Sequence, residues 1–211
     1  MNVDVAVFDC DGVILESMDI KSLAFRRVGE EYGPEAAGRL EDYHRLHGGV
    51  SRYRKFAWFF REVLGREITA ADEETMNAKF VRAALEEVLV CPLVPGIREV
   101  LDRLSGRLPL YVASGTPEDE LRFILEKRRL AGYFVRICGS PPDKEEILRT
   151  IVEERGINPE RCLMVGDAET DRAAAARVGT LFYGRGEYFR DLGCPWYQDM
   201  THLTGWIETG A

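Results

Sequence analysis

The chain has 211 residues, of which 45 % are hydrophobic, 30 % charged and 10 % aromatic, a composition that excludes collagenous, low-complexity and largely disordered proteins. This length fits one large domain, or a core of about 140 residues with an inserted subdomain. The formal net charge of −8 repels phosphate backbones, so neither nucleic acid nor an anionic membrane is the expected partner.

Short apolar runs alternate with amphipathic stretches, a pattern typical of a parallel sheet that helices cover on both faces. The predicted strands are residues 3–8, 110–113, 134–138, 162–165 and 180–183. Right-handed crossovers place them in the order 3-2-1-4-5. The expected fold class is therefore α/β, with a Rossmann-like three-layer core.

Helix signals fill the intervals between these strands. Thr116 and Pro117 predict a helix N-cap followed by a proline at the first helical position. Gly106, Gly156 and Gly179 stand where left-handed C-terminal caps are needed.

Residues 18–90 break this rhythm, because they contain no convincing strand and predict one helix after another. Ser51 and Thr69 are expected to cap two of these helices. We therefore predict a core formed by residues 1–17 and 91–211, and an inserted α-helical domain formed by residues 18–90.

Asp9 and Asp11 directly follow the first predicted strand, with Gly12 after them. Open α/β sheets bind ligands at the carboxyl ends of their strands. Two acids at this spacing can share one hard cation while the first attacks an electrophile and the second handles its proton. The alternative is a structural turn of the common D-x-D-G type.

Asp167 follows another apolar run, and Asp171 lies one helical turn further on. The pair can place one carboxylate on a cation and the other behind it. The alternative makes Asp167 a helix N-cap and Asp171 a solvated helix residue.

Ser114 and Gly115 follow the second predicted strand, and Lys144 opens a later helix. A hydroxyl beside backbone N–H groups at a helix N-terminus can bind an anion. A lysine near several carboxylates stays charged and offsets their repulsion. Taken singly, a capping serine and a solvated lysine are the simpler interpretations.

In this order, the motifs Asp9-Cys10-Asp11, Ser114, Lys144 and Gly166-Asp167 with Asp171 resemble the haloacid dehalogenase-like (HAD) hydrolase superfamily. The resemblance covers essentially the whole chain, and residues 18–90 take the place of a helical cap of the first type. Within the superfamily the chain looks like the phosphatases with such a cap, similar to β-phosphoglucomutase and phosphoglycolate phosphatases.

The resemblance implies a phosphatase that uses Mg²⁺ to hydrolyse a small phosphorylated metabolite. It implies that Asp9 is the nucleophile that accepts the phosphoryl group, and that Asp11 is the general acid and base. Ser114 and Gly115 would bind the phosphoryl oxygens, and Lys144 would position Asp9. The implied metal ligands are Asp9, the backbone carbonyl of Asp11, Asp167 and, in support, Asp171.

Residues 48–52 are similar to the cap loop that closes over substrate in this family. They lie in the stretch 43–66, which holds six Lys or Arg and one acidic residue. Arg52 or Lys55 is expected to contact an anionic part of the substrate. The alternative is a helix N-cap at Ser51 followed by a solvated basic face.

The remaining expectations concern location and partners. The five cysteines form no C-x-x-C pair, and the start of the chain has no pattern of a secretion signal, so a reducing cytoplasm is expected. The partner is a small phosphorylated metabolite, with neither nucleic acid nor membrane, bound by a monomer or a weak homodimer. A sugar phosphomutase and a non-catalytic ligand-binding protein are the two alternatives.

Overall fold

A computed structural model describes residues 3–209 of the chain. Its centre is a six-stranded sheet in the order β3-β2-β1-β4-β5-β6, in which every neighbouring pair is parallel. The strands are β1 (Val5–Phe8), β2 (Leu110–Pro117), β3 (Arg136–Ser140), β4 (Cys162–Gly166), β5 (Leu181–Arg185) and β6 (Trp196–Tyr197). The predicted order 3-2-1-4-5 is confirmed, and β6 extends the sheet beyond β5.

Helices cover both faces of the sheet because its central strand is apolar on both sides. Val5 and Val7 of β1 pack into one hydrophobic cluster, whereas Ala6 and Phe8 pack into a second, larger one. Within the described part of the chain, the α-helices outside residues 18–90 are α5 (Ile97–Leu104), α6 (Glu118–Lys127), α7 (Lys144–Arg155), α8 (Glu169–Val178) and α9 (Leu203–Thr209). The smaller cluster contains α7 and α8, and the larger one contains α5, α6 and α9. This arrangement confirms the predicted α/β three-layer class.

Residues 18–90, which lie between β1 and α5, form four α-helices. They are α1 (Met18–Gly29), α2 (Pro34–Leu46), α3 (Arg52–Trp58), which continues as a π-helical turn over Phe59–Val63, and α4 (Ala70–Val90). Phe25, Phe56 and Phe80 pack against one another between α1, α3 and α4. Among residues 3–209, none of the helices combines the length and the apolar character needed to cross a membrane.

Three of the predicted helix caps are confirmed, and the prediction at Thr116 is wrong. Thr69 caps α4 in a reciprocal box with Asp72, while Gly156 and Gly179 end α7 and α8 in left-handed conformation. Strand β2 runs through Thr116 to Pro117, so α6 begins at Glu118. The threonine hydroxyl donates to the Asp11 carboxylate instead of capping the helix.

Ser51 occupies the predicted N-cap position of α3, but its side chain makes no capping hydrogen bond. The hydroxyl instead donates to Ser140 Oγ at the end of β3, at 3.4 Å. Ser51 therefore joins the loop before α3 to the sheet.

Candidate active site

The carboxyl ends of β1, β2 and β4 bring most of the predicted site residues to one edge of the sheet. Asp9 follows β1, Ser114 lies in β2, and Asp167 follows β4. Lys144 begins α7 and Asp171 lies in the first turn of α8. The main-chain N–H of Asp9 donates to Val165 O at 2.9 Å, which ties the end of β1 to β4.

Lys144 joins two buried carboxylates. Its Nζ lies 2.7 Å from Asp9 Oδ2 and also donates to Asp171 Oδ1. Burial opposes the ammonium charge, but Asp171 and Asp9 outweigh it and raise the pKa of Lys144. Lys144 is therefore a fixed positive charge against the predicted nucleophile.

Three carboxylates surround this single lysine. Oxygens of Asp9, Asp167 and Asp171 all lie within 4.8 Å of one another. Burial, followed by the charges of Asp171 and Asp11, raises the pKa of Asp9 to about 7 against the effect of Lys144. Burial and then Asp9 and Asp171 also raise the pKa of Asp167.

This excess of negative charge suits a hard divalent cation with oxygen ligands, such as Mg²⁺. The backbone at Gly12 is shaped to the same cluster, because a side chain there would collide with the Asp167 carboxylate, and its φ is +74°. The Asp11 side chain lies outside the cluster, and its assignment to the ion through the backbone carbonyl stays a prediction.

Asp11 is held in a different environment from Asp9. Its carboxylate accepts from Lys21 Nζ at 2.5 Å, Ser17 Oγ at 2.6 Å and Thr116 Oγ1 at 3.2 Å. Burial raises the pKa of Asp11, but Lys21 outweighs that effect and leaves the pKa below its usual value. Two acids two residues apart thus have opposite pKa shifts, and each is paired with a different lysine.

Lys21 was not among the predicted site residues, although its position relative to the apolar residues of α1 indicates that it is buried. It falls on the same face of α1 as Ala24, Phe25 and Val28, all of which are buried. A lysine on the apolar face of a helix just after an acidic motif indicates a buried partner. In the structure that partner is Asp11.

Ser114 and Gly115 face the same space as Asp9. Ser114 is 1 % exposed, and its Oγ accepts from the Thr116 N–H at 3.2 Å. Gly115 lies so close to the loop before α3 that a side chain would collide with Gly49 O. Both residues can therefore present polar atoms to a ligand at the end of β2.

The loop before α3 lies directly over Lys144. Thr170 Oγ1 donates to Gly48 O at 2.5 Å. A Cβ added at Gly49 would lie 2.8 Å from Lys144 Nζ, and Gly49 has φ of +76°. The loop can thus approach Lys144 this closely only because Gly49 has no side chain.

Arg52 and Lys55, the predicted substrate contacts, are buried. Arg52 donates from both terminal nitrogens to the Glu120 carboxylate, at 3.1 and 2.5 Å. Lys55 is 1 % exposed, and its Nζ lies 2.8 Å from His44 Nδ1. The alternative of a solvated basic face is therefore wrong for these two side chains.

A cavity of about 40 Å³ lies between the sheet edge and the inserted helices, enough for about three water-sized positions. Asp9, Asp11 and Ser114 line it on the core side. From the inserted helices it is lined by Met18, Lys21, Phe25, His44, Arg52, Lys55 and Phe80. The structure thus brings both predicted cap cations to the space that Asp9 faces.

Comparisons with known proteins identify the family of the chain. A protein-family model described as haloacid dehalogenase-like hydrolase matches residues 3–179, and the chain belongs to that family. It is similar to a phosphoglycolate phosphatase of Aquifex aeolicus, with 29 % identity over 192 residues that cover 83 % of this chain and 81 % of that protein. The enzyme class is that of a phosphatase.

Two further matches span most of the chain. A phosphorylated carbohydrates phosphatase of Thermotoga maritima is 29 % identical over 189 residues, which cover 84 % of this chain and 82 % of that protein. The crystal structure of β-phosphoglucomutase from Clostridium difficile matches with a TM-score of 0.80 at 17 % identity, covering 98 % of this chain and 96 % of that one. This structural match shows the same fold.

Proposed function

We propose that this phosphatase depends on Mg²⁺ and hydrolyses a small phosphorylated metabolite through an aspartyl phosphate on Asp9. The observation that carries the proposal is the separation of Asp9 from Asp11. Asp9 lies against Lys144 and the acidic cluster, whereas Asp11 is turned toward Lys21 and Thr116. One carboxylate is free to attack and the other to move a proton.

In the first step, an Asp9 oxygen forms a bond to phosphorus while the bond from phosphorus to the leaving oxygen breaks. Lys144 holds Oδ2 of Asp9 and the Cys10 N–H holds Oδ1 at 2.6 Å, so the carboxylate is oriented before substrate arrives. Asp11 gives a proton to the leaving oxygen and is therefore protonated at this step, because the anionic phosphoryl group bound beside it offsets the charge of Lys21, which favours the ionised form in the free protein. Ser114 donates to the phosphoryl oxygens, where charge builds up.

In the second step, water attacks the aspartyl phosphate and releases phosphate from Asp9. Asp11 takes the proton of that water, a role that suits the ionised state favoured by Lys21. Asp9, Asp167 and the backbone carbonyl of Asp11 would hold Mg²⁺, with Asp171 in support. The ion would offset the negative charge that phosphate adds to the acidic cluster.

We also propose that residues 18–90 act as a cap over a core formed by residues 1–17 and 91–211. The contacts Thr170–Gly48 and Arg52–Glu120 support a closed arrangement that excludes water from the site. A reducing, cytoplasmic location completes the proposal, since all five cysteines are free thiols. The names of the two phosphatase relatives support a small phosphorylated substrate.

The test is phosphate release from a panel of phosphorylated metabolites, with Mg²⁺ and with EDTA. We expect Mg²⁺-dependent release by the wild type and none by Asp9→Asn, with the exposed Asp42→Asn as the matched control. Release that survives in Asp9→Asn would contradict the nucleophile assignment. Accumulation of a sugar bisphosphate would instead support the phosphomutase, and a folded protein that never carries phosphate on Asp9 would support the non-catalytic alternative.

A further inference from the structure

Arg185, at the carboxyl end of β5, joins three parts of the chain through its guanidinium group. Its Nη1 donates to the main-chain oxygen of Gly12 at 3.0 Å. Nη1 and Nη2 also donate to the two carboxylate oxygens of Glu16, at 3.1 and 2.6 Å. Nε donates to the main-chain oxygen of Gln198 at 3.0 Å. All three guanidinium nitrogens thus have protein acceptors, which hold the planar group in a defined orientation.

Strand β6 provides a fixed support for Arg185. Arg185 pairs with Tyr197 in the parallel ladder between β5 and β6, and the next residue, Gly186, donates its N–H to Tyr197 O at 2.8 Å. The Arg185 side chain is only 18 % exposed. Because its backbone lies in the sheet and its Nε binds the segment after β6, the guanidinium can hold the groups beyond it in place.

Gly12 lies between Arg185 and the acidic cluster. Its φ is +74°, and a Cβ at this position would collide with the Asp167 carboxylate, so its Cα packs against that group. The Gly12 N–H donates to Leu15 O at 2.8 Å, while its carbonyl accepts from Arg185. The N–H of Gly12 shares a peptide plane with the carbonyl of Asp11, the proposed Mg²⁺ ligand. The contacts that fix Gly12 therefore also fix the direction of that carbonyl.

We propose that Arg185 is a positioning residue for the active site, and that it holds the Gly12 backbone so that the Asp11 carbonyl stays directed at the acidic cluster. This inference rests on the proposed Mg²⁺-dependent function and adds to it a residue beyond residues 3–179, the part of the chain that matches the family model. Glycine has little backbone preference of its own, so without the guanidinium this peptide can adopt other orientations. Residues that orient metal ligands typically contribute roughly 10–100-fold to metal affinity.

The test is a Mg²⁺ titration of the Tm, which needs no turnover, together with the same titration of phosphate release. We expect Arg185→Met to need about tenfold or more Mg²⁺ than wild type for a given rise in Tm. Phosphate release should show the same increase. Arg185→Lys keeps the charge, but its single nitrogen cannot bind Gly12, Glu16 and Gln198 together. We therefore expect it not to restore the wild-type Mg²⁺ requirement.

Glu16→Gln is the matched control, because it removes the same ion pair but leaves the donor of Arg185 at Gly12 O. Its Mg²⁺ requirement should stay within about twofold of wild type, since a partly exposed ion pair contributes little by itself. Arg190→Met, which removes an exposed pair with Glu187, should behave as wild type. A wild-type Mg²⁺ requirement in Arg185→Met or in Arg185→Lys would overturn the inference. An equal increase in Glu16→Gln would also overturn it, because the ion pair and not the Gly12 contact would then be responsible.

Hydrogen exchange separates this inference from the proposed function. In metal-free protein, amide exchange over residues 10–17, measured by mass spectrometry, reports whether the turn is held. We expect faster exchange there in Arg185→Met than in wild type or Glu16→Gln. Faster exchange, with no response to Mg²⁺ even in wild type, would contradict the metal-dependent mechanism and support the hold on Gly12. Mg²⁺-dependent phosphate release by wild type, with unchanged exchange and Mg²⁺ requirement in Arg185→Met, would contradict the positioning role alone.

Discussion

Lys144 Nζ lies 2.7 Å from Asp9 Oδ2 and also binds Asp171 Oδ1, so one side chain links the starts of α7 and α8 to the end of β1. Side chains of all three residues are at most 4 % exposed. The lysine therefore stabilises the buried charges and at the same time orients Asp9, the proposed nucleophile.

Lys144→Met should impair both functions. Removing one partner of a buried ion pair costs about 3–5 kcal/mol, so we expect urea denaturation to show a loss of this order, together with loss of phosphate release. Arg149→Met is the control, because Arg149 forms an exposed pair with Glu145 on the same helix, worth at most about 1 kcal/mol. Equal unfolding free energies for the two variants would contradict the role of Lys144.

Mg²⁺ should stabilise the folded protein, since it would bind carboxylates that only the fold brings together. A ligand at a hundred times its Kd adds about 2.7 kcal/mol to the unfolding free energy. We expect Mg²⁺ to raise the Tm of wild type and EDTA to reverse the change. Asp167→Asn should abolish the shift, whereas the exposed Asp191→Asn should retain it. A Tm that does not respond to Mg²⁺ would remove the metal from the mechanism.

Gly49→Ala should weaken the contact between the loop and the core. The new methyl group would lie 2.8 Å from Lys144 Nζ, and the positive φ of +76° is strained for alanine. We expect kcat/KM to fall at least about tenfold, or 1.4 kcal/mol of transition-state stabilisation. Gly38→Ala lies in α2 with nothing within 4 Å and should stabilise the protein by up to about 1 kcal/mol. Wild-type kinetics in Gly49→Ala would show that the loop does not need this close approach.

Acid should destabilise the protein through His44, whose pKa falls from 6.5 to about 2 on folding. The unfolded chain gains a proton below pH 6.5 that the folded protein does not accept. The stability from the neutral ring is therefore fully present above pH 6.5 and is lost toward pH 2, by up to about 1.4 kcal/mol per pH unit.

His44→Asn should flatten this dependence between pH 7 and pH 5, as measured by urea denaturation at each pH. The exposed His202→Asn is the control and should leave the slope unchanged. An identical slope in wild type and His44→Asn would mean that other groups cause the acid sensitivity.

The strand order and the acidic residues were predictable because their signals are local. Asp9, Asp11 and Asp167 directly follow apolar strands, and parallel strands end at one edge of a sheet. Strand β6 has only two residues, too few for an apolar run or an alternation of apolar and polar residues to be recognised in the sequence. Thr116 has the sequence of a helix cap, but tertiary contacts with Asp11 and Lys21 keep it in β2.

Pairings between distant residues were not predictable from the sequence. Arg52 and Glu120 are separated by 68 positions, and each residue type is usually solvated. Lys55 is similar: only the packing of α2 against α3 shows that its partner is His44. A basic, aromatic-rich stretch indicates where such charges lie, but not which of them is neutralised.

Ser17 and Lys21 reach Asp11 from the same end of α1, and Met18, Lys21 and Phe25 of that helix also line the cavity. A displacement of α1 away from the sheet would therefore enlarge the cavity and withdraw the Ser17 and Lys21 donors from Asp11 at the same time. A form of the protein that is open to substrate would thus lack the hydrogen bonds that hold Asp11 in place for proton transfer.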